Sequence, residues 1–146
     1  MATAAAVETS TPTRRPTQAK ADPSAVIVAV TEANLLLQDA ISQPSEENLA
    51  NLGSLWQGRA LTKVEKFAIE QNERYSKPFV ASFEFISRPI VSERLSPSQV
   101  VITAQERWRY GQSANADQEA LEFIYTLNWR NGQWIITRYT YRNLPP

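Results

Sequence analysis

The stretch EFIYTLNWRNGQWIITRYTY, residues 122–141, constrains the fold of this chain more than any other. Apolar and polar residues alternate along it, and the alternation is interrupted at Asn131-Gly132. A period of two is typical of a half-buried β-strand. An Asn-Gly step between two such runs is a strong signal for a two-residue type I′ hairpin. The sequence therefore predicts an antiparallel hairpin whose register is set by its turn.

Counting outward from the turn assigns each side chain of the hairpin to a face. The first face pairs Trp129 with Trp134, Leu127 with Ile136, Tyr125 with Arg138 and Phe123 with Thr140. The second face carries Ile124, Thr126, Asn128, Ile135, Thr137 and Tyr139. The first face holds more large apolar groups, so we expect it to pack on the core. The two Trp residues beside the turn then have a structural role.

Two further extended segments precede the hairpin. Residues 78–95 alternate with period two and contain Pro89, which interrupts or bends the strand because proline cannot donate to a sheet ladder. Residues 98–112 form another predicted strand, and the polar stretch SANADQ after it reads as a loop. Together these segments predict a four-stranded antiparallel meander.

The first half of the domain is predicted to be helical. Asp22-Pro23 is a helix start signal, since Asp favours the N-cap and Pro the first helical position. Apolar residues then recur at helical spacing as far as Ser42. Ser45 caps a second helix, and Gly53 or Gly58 favours a break before a third. Two to three helices followed by a meander indicate an α+β fold with the helices on one sheet face.

Residues 1–21 form an Ala/Thr/Pro-rich segment with almost no large apolar side chains, and we expect a disordered linker ahead of a single domain at 22–146. Such a linker commonly tethers a domain to an anchor. A chain terminus that has no function can have the same composition. The start lacks the pattern of a signal peptide, and no run of about 18 apolar residues is present. We expect that any link to a membrane is made by a tether outside this chain. An envelope location is slightly favoured over a cytoplasmic one.

Composition excludes several chemistries. The chain has no Cys and no His, so thiolate nucleophiles, Ser-His-Asp triads and the usual zinc or iron ligand sets are absent. We expect no metal, no cofactor and no catalytic residue. Fifteen basic residues balance fifteen acidic ones, so the net charge gives no reason to expect nucleic-acid binding. Arg107 and Arg109 leave a local anion-binding surface open.

Arg138 is the odd member of the predicted core face, because an unpaired guanidinium is costly there. Glu106 and Trp108 share one side of the preceding predicted strand. If that side also faces the helices, Glu106 reaches Arg138 beside Tyr125, and these four residues are our ligand-pocket candidates. The alternative is that Arg138 extends to the rim and stacks on Tyr125 or Trp108.

The segment LGSLWQGRAL (52–61), the hairpin and its G-x-W-x-I element resemble the NTF2-like, cystatin-like α+β superfamily. Within it, the chain is similar to the IMS-type domain of ARC6-like plastid-division and cyanobacterial envelope proteins. The resemblance covers about residues 23–143. It implies a cone with a pocket between the first helix and the sheet, and it includes both enzymes and non-catalytic binding domains.

Three functions are compatible with these features. The preferred interpretation is a non-enzymatic, tethered domain that binds a partner protein or a small apolar ligand at the cone mouth. The first alternative is a dimerisation module that buries the outer sheet face, with Ile124, Ile135, Tyr139 and Tyr141 as partner-surface candidates. The second is an isomerase- or cyclase-like enzyme that uses Asp39, or Glu106 with Tyr125, as a carboxyl of raised pKa.

Overall fold

The computed structural model of the chain describes residues 22–75, 77–111 and 117–145. Its helices are α1 (Pro23–Ser42), α2 (Glu46–Leu52) and α3 (Gly58–Arg74), and its strands are β1 (Ala81–Phe85), β2 (Ile90–Ser96), β3 (Gln99–Tyr110), β4 (Asp117–Arg130) and β5 (Gln133–Asn143). This arrangement confirms the predicted α+β class. The predicted linker at 1–21 lies outside the described residues.

The sheet has five antiparallel strands, where four were predicted. Its order is β1-β3-β4-β5, and β2 also pairs with β3. The single strand predicted across Pro89 is two strands, because the chain leaves the ladder after Phe85 and returns at Ile90. Phe85 lies opposite Glu106 and Ile90 opposite Thr103, so both pieces share one edge of β3.

The helix boundaries follow the predicted signals. The Asp22 side chain accepts a hydrogen bond from the Ser24 N–H at 2.9 Å, with Pro23 opening α1. Ser45 caps α2 in the same way through the N–H of Asn48 at 3.1 Å. The helical structure is interrupted between Gly53, the C-cap of α2, and Gly58, the first residue of α3. The φ of Gly58 is +61°, a value that suits glycine.

The link between α2 and α3 covers part of the β5 edge. The N–H of Ile136 donates to the Leu55 carbonyl, and the N–H of Gln57 donates to the Ile136 carbonyl, both at 2.9 Å. This short parallel bridge at Trp56 satisfies backbone groups that an edge strand leaves open. It also fixes the Trp56 side chain over the inner sheet face.

The hairpin turn is as predicted, but the register beyond it is not. Asn131 and Gly132 have φ of +52° and +81°, as a type I′ turn requires. Leu127 pairs with Ile136, yet Thr126 pairs with Arg138, so one extra residue of β5 forms a bulge. A one-residue shift reverses the faces of every later β5 side chain. Tyr125 therefore lies opposite Tyr139, where the sequence predicted Arg138.

The core lies between α1, α3 and the inner sheet face. Within the described residues, α1 is the one helix that is long and apolar enough to cross a membrane, with a mean hydropathy of 1.4. In the fold its apolar side is instead part of the domain core, with Val26, Val30, Ala33 and Ile41 all inaccessible to solvent. Packing on the sheet thus accounts for one apolar side of α1, while Val28 and Leu35 on its other side are 52% and 45% exposed.

Candidate functional site

A cavity of about 430 Å³ opens between α1, α3 and the inner sheet face, and we call it the cone pocket. Its walls are Leu37, Trp56, Phe67, Glu70, Gln71, Arg74, Trp108, Glu119, Leu121, Phe123, Tyr139, Tyr141 and Asn143. Six of these are aromatic, and their flat faces suit an apolar or planar guest. The volume falls within the roughly 300–1,000 Å³ of small-molecule sites.

Aromatic contacts hold the pocket walls in place. The Trp56 ring meets Tyr139 edge-on at 5.5 Å between centroids, and its indole N–H donates to the Ala33 carbonyl at 3.0 Å. Lys63 donates to the Tyr139 carbonyl at 3.1 Å and lies 4.2 Å from the centre of that ring. Burial raises the pKa of the Tyr139 hydroxyl, so this wall stays uncharged at neutral pH.

The polar members of the pocket are of two kinds. Glu70 and Arg74 are exposed and belong to the rim. Gln71 is only 4% exposed, and its Nε2 has no hydrogen-bond acceptor. The Gln71 amide still lowers the pKa of the Tyr110 hydroxyl against the larger effect of burial, so it lies close to that hydroxyl without meeting hydrogen-bond geometry. A buried donor without a partner is costly, and a guest with an acceptor would supply one.

Beneath the pocket lies a buried polar cluster centred on Glu106, which is inaccessible to solvent. Its Oε2 accepts hydrogen bonds from Tyr125 OH at 2.6 Å and Asn34 Nδ2 at 3.2 Å. Its Oε1 accepts one from Trp108 Nε1 at 2.8 Å. The Glu106 cluster, as we call these four residues, contains three donors and no cation.

Two opposing effects set the protonation of Glu106. Burial raises the pKa of the carboxyl to about 7 from an ordinary value of 4.5, and hydrogen bonds from Tyr125, Trp108 and Asn34 partly oppose that rise. Burial and the nearby Glu106 charge also raise the pKa of Tyr125 well above its usual range. Glu106 therefore gains or loses its proton near neutral pH, inside the core.

The cluster agrees only in part with the predicted one. Glu106, Tyr125 and Trp108 do come together, but Trp108 alone of the three lines the cone pocket. Arg138 is exposed on the other sheet face opposite Thr126, so the predicted contact with Glu106 is wrong. The bulge is the cause, because it turns Arg138 outward. Asn34 takes the place that the sequence assigned to Arg138.

The same bulge moves two of the four predicted partner-surface residues from the outer to the inner sheet face. Tyr139 and Tyr141, assigned to the outer face, line the cone pocket instead. Ile135 is 1% exposed, which leaves Ile124 as the single exposed outer-face residue of the four candidates. Its cross-strand neighbours are Thr103 and Thr140, and an ion pair of Arg142 Nε with Glu122 Oε1 at 2.9 Å lies next to it on the same face. The predicted apolar outer face is therefore largely absent from the described part of the sheet.

The arginines considered for anion binding are also engaged. Arg107 and Arg109 both approach Glu84, at 3.7 and 3.4 Å. All three side chains are more than a third exposed, so these pairs contribute little stability. They do reduce the positive charge that this surface offers to an anion.

Two residues of the site were missed in the sequence. Asn34 lies at i+4 from Val30 and i−3 from Leu37, on the buried stripe of α1, and a polar residue on such a stripe is a signal of a buried contact. Gln71 lies three residues after Ala68 on the buried side of α3. Asp39, the carboxylate proposed for catalysis, is exposed and absent from the pocket walls.

The geometry limits what the site does chemically. A carboxyl with a pKa near 7 has the acidity of a general acid or base. Glu106, however, does not line the cone pocket. The Trp108 ring, whose Nε1 donates a hydrogen bond to Glu106, forms part of the pocket wall instead. A proton donor or acceptor must reach its substrate directly or through one water. By this criterion Glu106 does not reach a guest in the cone pocket.

No family model matches the chain, and no curated protein matches it. Solved structures do resemble it. The intermembrane space region of the chloroplast protein ARC6 superposes with a TM-score of 0.59 at 15% identity, covering 84% of this chain and 98% of that one. The periplasmic domain of DotI gives a TM-score of 0.64 at 11% identity, with 84% and 96% covered. A candidate dehydratase of the NTF2-like family from Streptomyces avermitilis gives 0.58 at 12% identity, with 85% and 100% covered.

These three structures differ in what they are. Two are regions of envelope proteins, from an intermembrane space and a periplasm, and one is described as a candidate enzyme. Identities of this size establish the fold and not the activity. With three helices over an open five-stranded antiparallel sheet and a pocket between the two layers, the chain has the NTF2-like fold.

Proposed function

We propose that this chain is a non-enzymatic binding domain whose cone pocket takes an apolar, planar group. That group belongs to a partner protein or to a small apolar ligand, and it carries a hydrogen-bond acceptor. The observation that carries the proposal is the pairing of aromatic walls with the buried Nε2 of Gln71, which lies near the Tyr110 hydroxyl but makes no hydrogen bond of ordinary geometry. Aromatic walls provide apolar contact area, and one placed donor provides orientation.

The separation of Glu106 from the pocket supports the non-enzymatic part. Among the described residues, Glu106 is the carboxyl with a raised pKa, and it does not line the cavity. The pocket carboxylates Glu70 and Glu119 lie on α3 and at the start of β4, with Glu70 paired to Lys66 at 4.0 Å. Glu70 is exposed and Glu119 is half-buried, so neither pocket carboxylate combines the full burial of Glu106 with access to a guest, as catalysis by a carboxyl of raised pKa requires.

The proposal also assigns a role to residues 1–21, which we infer to tether the domain. Their Ala, Thr and Pro content suits a spacer, and α1 begins directly after them. The intermembrane-space and periplasmic settings of two similar structures favour an envelope location for this chain as well. A tethered domain meets membrane-bound partners at a raised effective concentration.

Binding of 1-anilinonaphthalene-8-sulfonate, an apolar aromatic probe, tests the pocket. Leu121 is buried in the pocket wall, and Ile124 lies three residues away on the outer face of the same strand. Leu121→Trp narrows the cavity from its wall and should weaken probe binding roughly tenfold or more, a change of about 1.4 kcal/mol. Ile124→Trp is the matched control and should leave the affinity unchanged.

A fold defect in Leu121→Trp is distinguished by a second variant. Tyr141 lines the pocket but is 50% exposed, so Tyr141→Ala removes part of the wall with little risk to the core. It should weaken binding severalfold with an unchanged circular dichroism spectrum. Equal affinities in the wild type, Leu121→Trp and Tyr141→Ala would place the probe elsewhere and reject the pocket.

A further inference from the structure

A second concave surface lies at the other end of α1, and we call it the Trp groove. One wall is the N-terminal half of α1 and the other is the β4–β5 hairpin. It measures about 410 Å³ and is lined by Asp22, Ser24, Ala25, Val28, Ala29, Glu32, Leu55, Trp129, Gly132, Gln133 and Trp134. None of the walls is shared with the cone pocket.

Three features of the Trp groove indicate that it has an occupant. Val28, a large apolar residue of α1, is 52% exposed within it. Trp129 and Trp134 meet edge-to-face at 5.4 Å, and Trp129, the part-exposed ring of the two, is aromatic surface of the kind that packs against proline rings. The indole N–H of Trp134 is buried without an acceptor. The groove thus offers apolar contact and lacks one hydrogen-bond acceptor.

The preceding segment of the same chain starts at the rim of this groove. Asp22, the first described residue, is one of the lining residues, so residues 1–21 leave from its end. From Asp22 to Glu32 the groove follows ten residues of α1, or about 15 Å of helix. An extended polyproline-type chain spans that length in about five residues. A segment that folds back from Ala21 therefore brings residues 14–16 to the Glu32 end.

The sequence at those positions complements the groove. Residues 14–16 are Arg14, Arg15 and Pro16. Glu32 is exposed, and no hydrogen bond or ion pair of its side chain is seen within the described residues. A cation beside Glu32 and a backbone carbonyl at Trp134 would each meet a group that the described residues leave unmatched, and a proline ring would add apolar contact with the groove walls.

We propose that residues 14–21 of this chain bind in the Trp groove, antiparallel to α1. In this arrangement Arg14 or Arg15 pairs with Glu32, and a backbone carbonyl of the segment accepts the indole N–H of Trp134. The inference is independent of ligand binding at the cone pocket. It leaves residues 1–13 as the spacer and fixes the direction in which the tether leaves the domain.

Hydrogen exchange of the four Trp indole N–H groups in the full chain tests this, followed by NMR. Glu32→Arg and the paired change Arg14→Glu with Arg15→Glu should each speed exchange at Trp134 by roughly fivefold, the equilibrium factor of one typical hydrogen bond. Combining all three changes should restore the wild-type rate. Glu73→Arg, an exposed glutamate of α3 outside the groove, is the control and should have no effect.

Each other outcome overturns the proposal. Identical Trp134 exchange in every variant would mean that residues 14–21 do not occupy the groove, which would then be free for a partner. Faster exchange in the single swaps without restoration in the combined variant would exclude the ion pair with Glu32. Protection that rises with protein concentration would assign the groove to the segment of a second copy.

Discussion

The most informative perturbation is Glu106→Gln, because it removes a buried charge while nearly preserving side-chain shape. In the folded protein burial holds the pKa of Glu106 at about 7, against 4.5 in its ordinary environment. Between these two pH values the folded state binds more protons than the unfolded state. The stabilising effect is therefore complete below about pH 4.5 and is lost as the pH rises through 7.

The size of the effect follows from the same two pKa values. One pKa unit corresponds to about 1.4 kcal/mol, so the difference between 7 and 4.5 predicts a loss of about 3 kcal/mol of unfolding free energy from this group alone. Any pH dependence that the rest of the chain contributes is common to the wild type and the variant. The difference in unfolding free energy between Glu106→Gln and the wild type isolates the contribution of Glu106.

Urea unfolding, followed by Trp fluorescence at intervals between pH 4.5 and 8.5, measures this difference. We expect Glu106→Gln to gain about 3 kcal/mol on the wild type across that range, with most of the change between pH 5 and 7.5. A difference that stays constant with pH would refute the reasoning. It would mean that Glu106 is hydrated or paired in solution and keeps an ordinary pKa.

Three further predictions follow from single contacts. Asn34→Ala removes a donor to Glu106 and should raise the pKa of Glu106 above 7, which moves the pH-dependent loss of stability upward in the same urea series. Trp56→Phe leaves the Ala33 carbonyl without its 3.0 Å donor and should lower the unfolding free energy by about 1–3 kcal/mol; a smaller change would indicate that water replaces the indole. Gly132→Ala places a Cβ at a φ of +81° and should cost about 1 kcal/mol in thermal unfolding, where an unchanged melting temperature would contradict the turn geometry.

Local signals in the sequence were sufficient for most of the fold. Caps at Asp22 and Ser45, the Asn131-Gly132 turn and the change of period from 3.6 to 2 each depend on neighbouring residues, and each was found where it was predicted. The fifth strand was missed because Pro89 shows that a strand is interrupted without showing where both halves pair. That pairing is decided by β3, which is long enough to hold both pieces.

The faces of the hairpin were predictable only as far as the bulge. Two hydrogen bonds of the Thr137 hydroxyl, to the Asn128 side chain at 2.6 Å and to the Thr126 carbonyl at 3.4 Å, accompany the extra residue. No pattern in the sequence shows that β5 has one more residue than β4 at this point. The prediction of Arg138 on an apolar face was nevertheless an indication that the register shifts. A bulge places Tyr139 on that face instead of Arg138, and so avoids burying a cation.

The candidate site was partly predictable for a related reason. Glu106, Trp108 and Tyr125 fall on inward positions of regular strands, so their meeting follows from alternation. Asn34 and Gln71 come from helices whose placement over the sheet depends on packing of the whole domain. Because that packing is non-local, no pattern of neighbouring residues predicts the contact of Asn34 with Glu106 across 72 positions.

The central claim, that the cone pocket is a binding site with one unpaired donor, is tested most directly by an NMR titration with p-cresol. This probe carries a flat apolar ring and a hydroxyl that can accept a hydrogen bond. We predict saturable shifts at the Gln71 side-chain amide and at residues of the pocket wall, lost in Leu121→Trp and kept in Ile124→Trp. Shifts confined to the outer sheet face or to the Trp groove, or no saturable shift at Gln71, would contradict the account.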